Sequence, residues 1–425
     1  MPHKQNVTPK VIIAFFFSTL LLALSLTAAS TLSKPEEVGL SSERLQRVQE
    51  TIKRHIDAGD FAGAVTLVAR EGRVAHFEAK GMMDLESKKP ISKDSIFRIA
   101  SMSKPVAGVA ILMLMEEGKV RLNDPVSKFI PEFKDLKVAV PLESSPGQAA
   151  GSGTESRFYT VPASREITIR DLLTHTSGLV SGGISASEAA KNPRKPTDTL
   201  ADYIPRLASV PLAFQPGTRW AYSPLAGFDT LSRIVEITSG QTFDQFLQQR
   251  IFQPLGMKDT FFAVPQDRLP RIATIYEKSP TGLQKFGNQN QLVNGTYFSG
   301  AGGLLSTAED YLQFGQMLLN KGQLNGKRLL SPKTVELMAA VHAPDTLPGR
   351  PAGRAYGLSV QVISDAVASG YRVSDGSYGW DGAYGTHFWV DPKEGIVGLL
   401  MIQTRNPNRE TDRDFENAVM QAIVE

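Results

Sequence analysis

Ser101 is the only serine in the 425-residue chain with a lysine three positions later, Lys104. A hydroxyl is a weak nucleophile until a base removes its proton, and an amine in an apolar site can be that base. The surrounding stretch, Phe97-Arg98-Ile99-Ala100-Ser101-Met102-Ser103-Lys104-Pro105, runs into the apolar segment Val106 to Met115. A helix beginning at Ser101 would set Ser101 and Lys104 on one face as i and i+3 neighbours. Burial there disfavours the ammonium form and lowers the lysine pKa towards neutrality. The N–H groups of the helix start would also point at a developing oxyanion. Taken alone, the pattern is more often a capped helix with a chance lysine, so its companions decide.

The second informative stretch is Gln215-Pro216-Gly217-Thr218-Arg219-Trp220-Ala221-Tyr222-Ser223-Pro224. Pro-Gly makes a turn, and Pro224 suits the first position of a helix over Leu225 to Ile237. Tyr222 therefore stands just before a helix start, where a phenol can project into a cleft. It can exchange protons there if cations depress its pKa. Alone, a packed tyrosine with a satisfied hydroxyl is the plainer reading. His175, in the exit Thr174-His175-Thr176-Ser177-Gly178-Leu179 of a short helix Arg170 to Thr174, reads as a loop-packing histidine, since nothing nearby completes a relay. The glycine cluster Ser299 to Thr307 lacks the Lys-Ser or Lys-Thr of a phosphate loop and instead lets backbone pass close to something. The six histidines stand apart and cysteine is absent, so no metal site and no cofactor is expected.

The elements that must position these residues follow from periodicity. Glu36 to Gly59 carries Leu45, Val48, Ile52 and Ile56 at helical spacing. Gly63 to Arg70 and Arg73 to Ala79 form an antiparallel hairpin across Glu71-Gly72. Ser95 to Ala100 is strand-like, and Glu117-Gly118-Lys119 stops the helix that follows Ser101. Residues 141 to 165, rich in Ser and Gly, make a flexible surface insertion rather than a domain linker. Helices are expected over Thr242 to Phe252 and Ala308 to Leu319. Tyr356 to Ile363, Tyr378 to Asp391 and Gly395 to Gln403 are strand-like, and Asp412 to Val424 closes the chain as a helix. Strands at both ends with helices between them give an α+β fold. One antiparallel sheet flanked by helices is built from both chain ends (about 36–100 and 295–425), with an inserted all-helical lobe over about 101–294.

Residues 1–29 read as a signal peptide: Lys4 and Lys10, the apolar run Val11 to Leu26, then the small residues Thr27-Ala28-Ala29-Ser30. The chain is thus expected to be exported, periplasmic or secreted, with a membrane tether only if this segment stays uncleaved. Its removal takes the formal charge from +3 to about +1, which argues against nucleic acid and against strongly charged partner surfaces. A cysteine-free exported domain must rest on its core alone.

Ser101-Met102-Ser103-Lys104, Tyr222 before a helix and a glycine-containing strand at Trp380 together resemble the serine hydrolases of the class C β-lactamase and penicillin-binding-protein type. Leu173-Thr174-His175-Thr176-Ser177-Gly178-Leu179, Gly300 to Asp310 and Gly385-Thr386-His387-Phe388-Trp389-Val390-Asp391-Pro392 look like the carboxylesterase branch of that family. The resemblance runs from about residue 36 to the C-terminus. It implies Ser101 as acylated nucleophile and Lys104 with Tyr222 as the proton-transfer pair, the phenol's pKa lowered by the lysine. It further implies an oxyanion hole from the N–H groups of Ser101 and Ala383, and substrate contacts from Trp380, Asp381 and Gly382.

Two departures matter. Where lactam-processing relatives have Tyr-x-Asn, the third place here is Pro224. Where they carry a cation on the strand, this sequence has Trp380-Asp381-Gly382. Trp380 favours apolar groups, and Asp381 would repel an anionic substrate if strand alternation turned it to the cleft. The expected activity is hydrolysis of a small neutral ester, with no stable protein partner. The alternatives are a β-lactamase, a D-Ala-D-Ala carboxypeptidase or D-aminopeptidase, and a non-catalytic wall-binding homologue. An α/β-hydrolase lacks its G-x-S-x-G here.

Overall fold

Strands Gly63–Arg70 and Arg73–Asp84 pair antiparallel across Glu71 and Gly72, which both take left-handed φ, 51° and 77°. Positive φ at both central residues matches the twist of the strands it joins. The computed structural model describes residues 1, 32–142, 157–287 and 295–425. The segment read as a signal and most of the Ser/Gly-rich insertion lie outside the described residues. Residues Leu32–Glu425 form one compact unit.

The hairpin lies near one end of an eight-stranded sheet. Its order is Arg354–Tyr356, Gln361–Ile363, Tyr378–Asp381, His387–Asp391, Ile396–Ile402, Gly63–Arg70, Arg73–Asp84 and Lys89–Pro90. Every neighbouring pair is antiparallel. The strands come from the two chain ends, as expected. All eight residues of Gly63–Arg70 are buried because helices cover both faces. Ala64 and Val68 pack with Leu45, Val48, Ile52, Phe415 and Val419 from helices Ser42–Asp57 and Glu410–Met420. Val65, Leu67 and Ala69 belong to the other core, shared with helices Ser103–Glu116 and Ala308–Leu319. The period-2 split of one strand between two cores is what a sheet buried on both sides requires.

Three expectations need correction. Only Phe97–Arg98 of Ser95 to Ala100 is strand, and it pairs with Leu305–Ser306 outside the main sheet. The helix does not begin at Ser101: a 3₁₀ turn spans Ala100–Met102 and the α-helix starts at Ser103. The inserted part is not purely helical, since Lys137–Pro141 and Phe158–Pro162 form a ribbon at the base of the Ser/Gly-rich insertion. That ribbon also bridges to Leu212 through Val138, so it is tied down where composition suggested only a loop.

Gly398 shows how tightly the terminal strands fit. It faces Trp389 in the ladder, and a Cβ there would stand 2.1 Å from the Trp389 ring. Gly398→Ala should displace the indole at a cost of about 1–3 kcal/mol. The expected result is a lower urea midpoint with an unchanged m-value. An unchanged midpoint would show that the ring is loosely held.

Candidate active site

The nucleophile turn is clamped from several sides. Ala100 takes a left-handed φ of 45° immediately before Ser101, a conformation costly for a residue with a Cβ. The Ile99 N–H donates to the Leu304 carbonyl (3.1 Å), the Leu304 N–H to Ser103 Oγ (3.2 Å) and the Tyr311 hydroxyl to the Met102 carbonyl (2.8 Å). These contacts hold the turn in a geometry that local propensity would not choose. Ser101 is half-buried at the surface of the cleft, and Lys104 is fully buried one turn on.

Lys104 is fully buried, as is every residue of its helix from Ser103 to Leu114. Its Nζ lies 3.1 Å from Ser101 Oγ and 2.7 Å from each of two carbonyl oxygens, Pro224 and Ala301. Burial lowers its pKa to about 7, against the opposing field of Asp229. A neutral amine has two N–H bonds and one lone pair. Two carbonyls to receive the N–H bonds leave the lone pair directed at the serine hydroxyl. The same three oxygens would also accept from an ammonium, and it is burial that brings the neutral, basic form within reach. Pro224, noted in the sequence for lacking an amide side chain, serves through its backbone oxygen.

The Tyr222 hydroxyl donates to the same Ser101 Oγ at 2.6 Å. Its ring is held by His175, whose centroid lies 4.7 Å away. The Ala221 N–H donates to the His175 carbonyl (3.1 Å) and the Ser223 N–H to His175 Nδ1 (3.2 Å). His175 thus grips the residues on either side of Tyr222, and burial keeps it neutral, well below its ordinary pKa. It packs a loop, as expected, but the loop it packs is the one carrying the phenol. Burial raises the Tyr222 pKa, with the Ser101 hydroxyl and Trp380 indole working the other way. This reverses the direction that the resemblance implied. A lysine whose pKa is near 7 supplies little fixed charge to depress a neighbouring phenol, so Tyr222 keeps its proton.

The strand Tyr378–Asp381 brings the third wall. Trp380 turns to the cleft, with its ring 5.7 Å from that of Tyr222 and 5.1 Å from that of Tyr356. Asp381 turns to the opposite face, where its Oδ1 is 2.6 Å from His387 Nδ1, and His387 Nε2 is 3.1 Å from Glu416 Oε1. Burial disfavours the imidazolium, yet hydrogen bonds to Asp381 and Glu416 hold His387 well above its usual pKa. Asp381 therefore does not reach Ser101, which corrects its assignment as a substrate contact. Gly382 makes no substrate contact through a side chain either. A Cβ there would meet the Ile99 carbonyl at 2.6 Å and Thr386 Oγ1 at 2.0 Å, so its role is to let the strand end press against the nucleophile turn. Ala383 follows in the exposed turn, and its N–H makes no hydrogen bond to any described residue. Among the described residues, Asp381, His387 and Asp412 are the one group with three ligand-type atoms within 4.8 Å. Both ring nitrogens of His387 are already engaged by carboxylates, so the group is an ion-pair network rather than a vacant metal site.

Asp229 was not foreseen. It is buried in helix Ala226–Ser239 and accepts from Ser299 Oγ (2.6 Å), the Tyr297 hydroxyl (2.9 Å) and the Ala301 N–H (3.1 Å). Burial raises its pKa, with those hydrogen bonds and Lys104 opposing. By fixing the Ala301 peptide it aims that carbonyl at Lys104. The glycine cluster marks a close backbone approach, but nothing in its sequence names the carboxylate that anchors it.

The Beta-lactamase family model matches residues 48–422, and the chain belongs to that family. Protein Rv1367c of Mycobacterium tuberculosis is 36% identical over 84% of this chain and 89% of its own. Esterase EstB of Burkholderia gladioli is 30% identical over 81% of this chain and 86% of its own. The structure of EstCE1, a hydrolase with promiscuous acyltransferase activity, superposes with a TM-score of 0.76 at 26% identity, covering 89% of this chain and 99% of that one. The chain is thus a serine hydrolase of a family that includes esterases.

The proton inventory makes a signed prediction. A lysine that serves as the base for Ser101 must be neutral to do so, so with Lys104 in that role kcat/KM should climb with pH through about 7. Asp229 favours the ammonium form, so Asp229→Asn should move this limb to lower pH. A limb that stays in place or moves up would contradict the assigned coupling.

Proposed function

We propose that this β-lactamase-family chain is an exported serine esterase that cleaves neutral carboxylic esters through an acyl-enzyme on Ser101. The observation that carries the reading is the meeting of Lys104 Nζ and the Tyr222 hydroxyl on one oxygen, Ser101 Oγ, at 3.1 and 2.6 Å. In acylation, Lys104 takes the Ser101 proton while Oγ attacks the ester carbonyl. The N–H groups of Ser101 and Ala383 receive the oxyanion. Tyr222 gives its proton to the departing alkoxide, leaving a phenolate beside the new ammonium. In deacylation the phenolate takes a proton from water, the hydroxide attacks the acyl carbon, and collapse returns the lysine proton to Ser101. No cofactor enters either half.

Neutral esters are favoured over lactams and D-Ala-D-Ala peptides because those substrates carry a carboxylate beside the bond attacked. The cleft face of the strand offers Trp380 in place of a cation, and Pro224 has no amide to offer. The esterases among the relatives point the same way. Export rests on the amino-terminal pattern of residues 1–29; no described helix is long and apolar enough to cross a membrane.

Ser101→Ala should leave the fold intact and remove nearly all hydrolysis of p-nitrophenyl butyrate. Mass spectrometry of wild type with a slow ester should find the acyl group on the Ser101 peptide. Lys104→Ala and Tyr222→Phe should each lose on the order of 10²- to 10⁴-fold, and the double variant should be hardly worse than the poorer single one. A variant of Ser101 that keeps more than a small fraction of activity defeats the assignment. If wild type opens a cephalosporin as efficiently as it cleaves the butyrate, the β-lactamase alternative replaces the esterase reading.

A further inference from the structure

Lys104 Nζ is held by the carbonyls of Pro224 and Ala301. The residues next along the chain from these two, Leu225 and Gly302, both line a cavity of about 530 Å³. A Cβ on Gly302 would sit 3.6 Å from the Ala100 carbonyl carbon, one residue before the nucleophile. The cavity thus lies beside the backbone that holds Lys104 and behind the residue preceding Ser101, on the side of helix Gly183–Ala190. Its other walls include Val180, Ala189, Pro193 and Leu207.

The polar groups along this cavity are already committed. The Asp229 carboxylate accepts from three donors. The Tyr297 hydroxyl is one of those donors, and Ser299 is another. The one cation, Arg194, lies over the Tyr297 ring with its guanidinium carbon 4.5 Å from the centroid, so it presents a flat stacked surface at the rim. What remains to be covered is apolar. Leu225 is 58% exposed and lines this cavity, so its apolar surface is open to a hydrocarbon group.

We infer that this cavity is a subsite for a bulky apolar substituent of the ester, so that the natural substrates are esters of medium-length or branched hydrocarbon character rather than acetates. The inference rests on the esterase reading and names its substrate class. Cavities that enclose a small organic ligand run from about 300 to 1,000 Å³, and this one far exceeds an acetyl group. At about 30 Å³ for a water-sized group, it corresponds to about eighteen such groups, more than an eight-carbon chain needs. The substituent can belong to the acyl or to the alcohol half of the ester, the shared chemistry being the hydrocarbon chain.

Two ester series separate the halves: p-nitrophenyl acetate, butyrate and octanoate vary the acyl side, and ethyl, butyl and octyl acetate vary the alcohol side. One series should show kcat/KM rising at least tenfold from its shortest to its eight-carbon member, chiefly through KM. Ala190→Phe and Ala186→Phe, both on the solvent-accessible side of the helix, fill the cavity with little risk to folding. Each should reduce that long-to-short ratio about tenfold, since even one methylene in an apolar pocket is worth about 10- to 200-fold in discrimination. A flat profile in both series, or ratios unmoved by both fillers, overturns the subsite while ester hydrolysis itself stands. If no ester is turned over, the esterase reading fails separately. The cavity is then still tested by calorimetric binding of octanamide to Ser101→Ala, which should be measurable, weaker for acetamide and lost on adding Ala190→Phe. Absence of octanamide binding overturns the inference.

Discussion

A fully buried lysine organises this molecule. Lys104 sits in a helix that is apolar on nearly every side, and its Nζ meets two backbone carbonyls and one hydroxyl. An isolated ammonium in such a place is costly, and the less costly state is the neutral amine. The same burial that stabilises the core therefore creates the base. Removing either carbonyl would free an N–H to compete for Ser101 Oγ, so Pro224 and Ala301 are as much part of the site as the serine.

Those two carbonyls come from distant parts of the chain, and much of the fold can be read as what holds them. Asp229 pins the 297–301 segment, so that the Ala301 oxygen faces inward. His175 grips Ala221 and Ser223, and Pro224 follows directly. On the third side, strand Tyr378–Asp381 ends in Gly382 against the Ile99 carbonyl, two residues before Ser101. The sheet built from both chain ends is the rigid frame for that last contact, and its burial on two faces explains why it can serve as one.

The sequence made the side chains that meet at Ser101 Oγ legible because their signals are local. Ser101 and Lys104 are three residues apart, and Tyr222 is marked by the Pro-Gly turn and Pro224. The hairpin at Glu71-Gly72 and helix Ala308–Leu319 were legible for the same reason, since their periodicity and stops lie within the segment itself. What supports the chemistry was not legible. Asp229 looks like an ordinary acid in an amphipathic helix, and its partners lie about 70 residues away. Ser95 to Ala100 carries strand-forming residues, yet contacts with Leu304 and the strained Ala100 turn override that propensity. The face taken by Asp381 depends on a one-residue register, and the protonated state of Tyr222 depends on burial that no local pattern reports.

The account stands on the protonation state of one amine. Full-length protein carrying ¹³Cε-labelled lysine, titrated by NMR with Lys104 assigned by its loss in Lys104→Ala, measures that state without reference to any substrate. The prediction is one lysine resonance with its midpoint near pH 7, apart from the bulk of lysines near 10.4. If Lys104 titrates with the bulk, it is a cation in the resting protein, and the neutral base at the centre of this account is wrong.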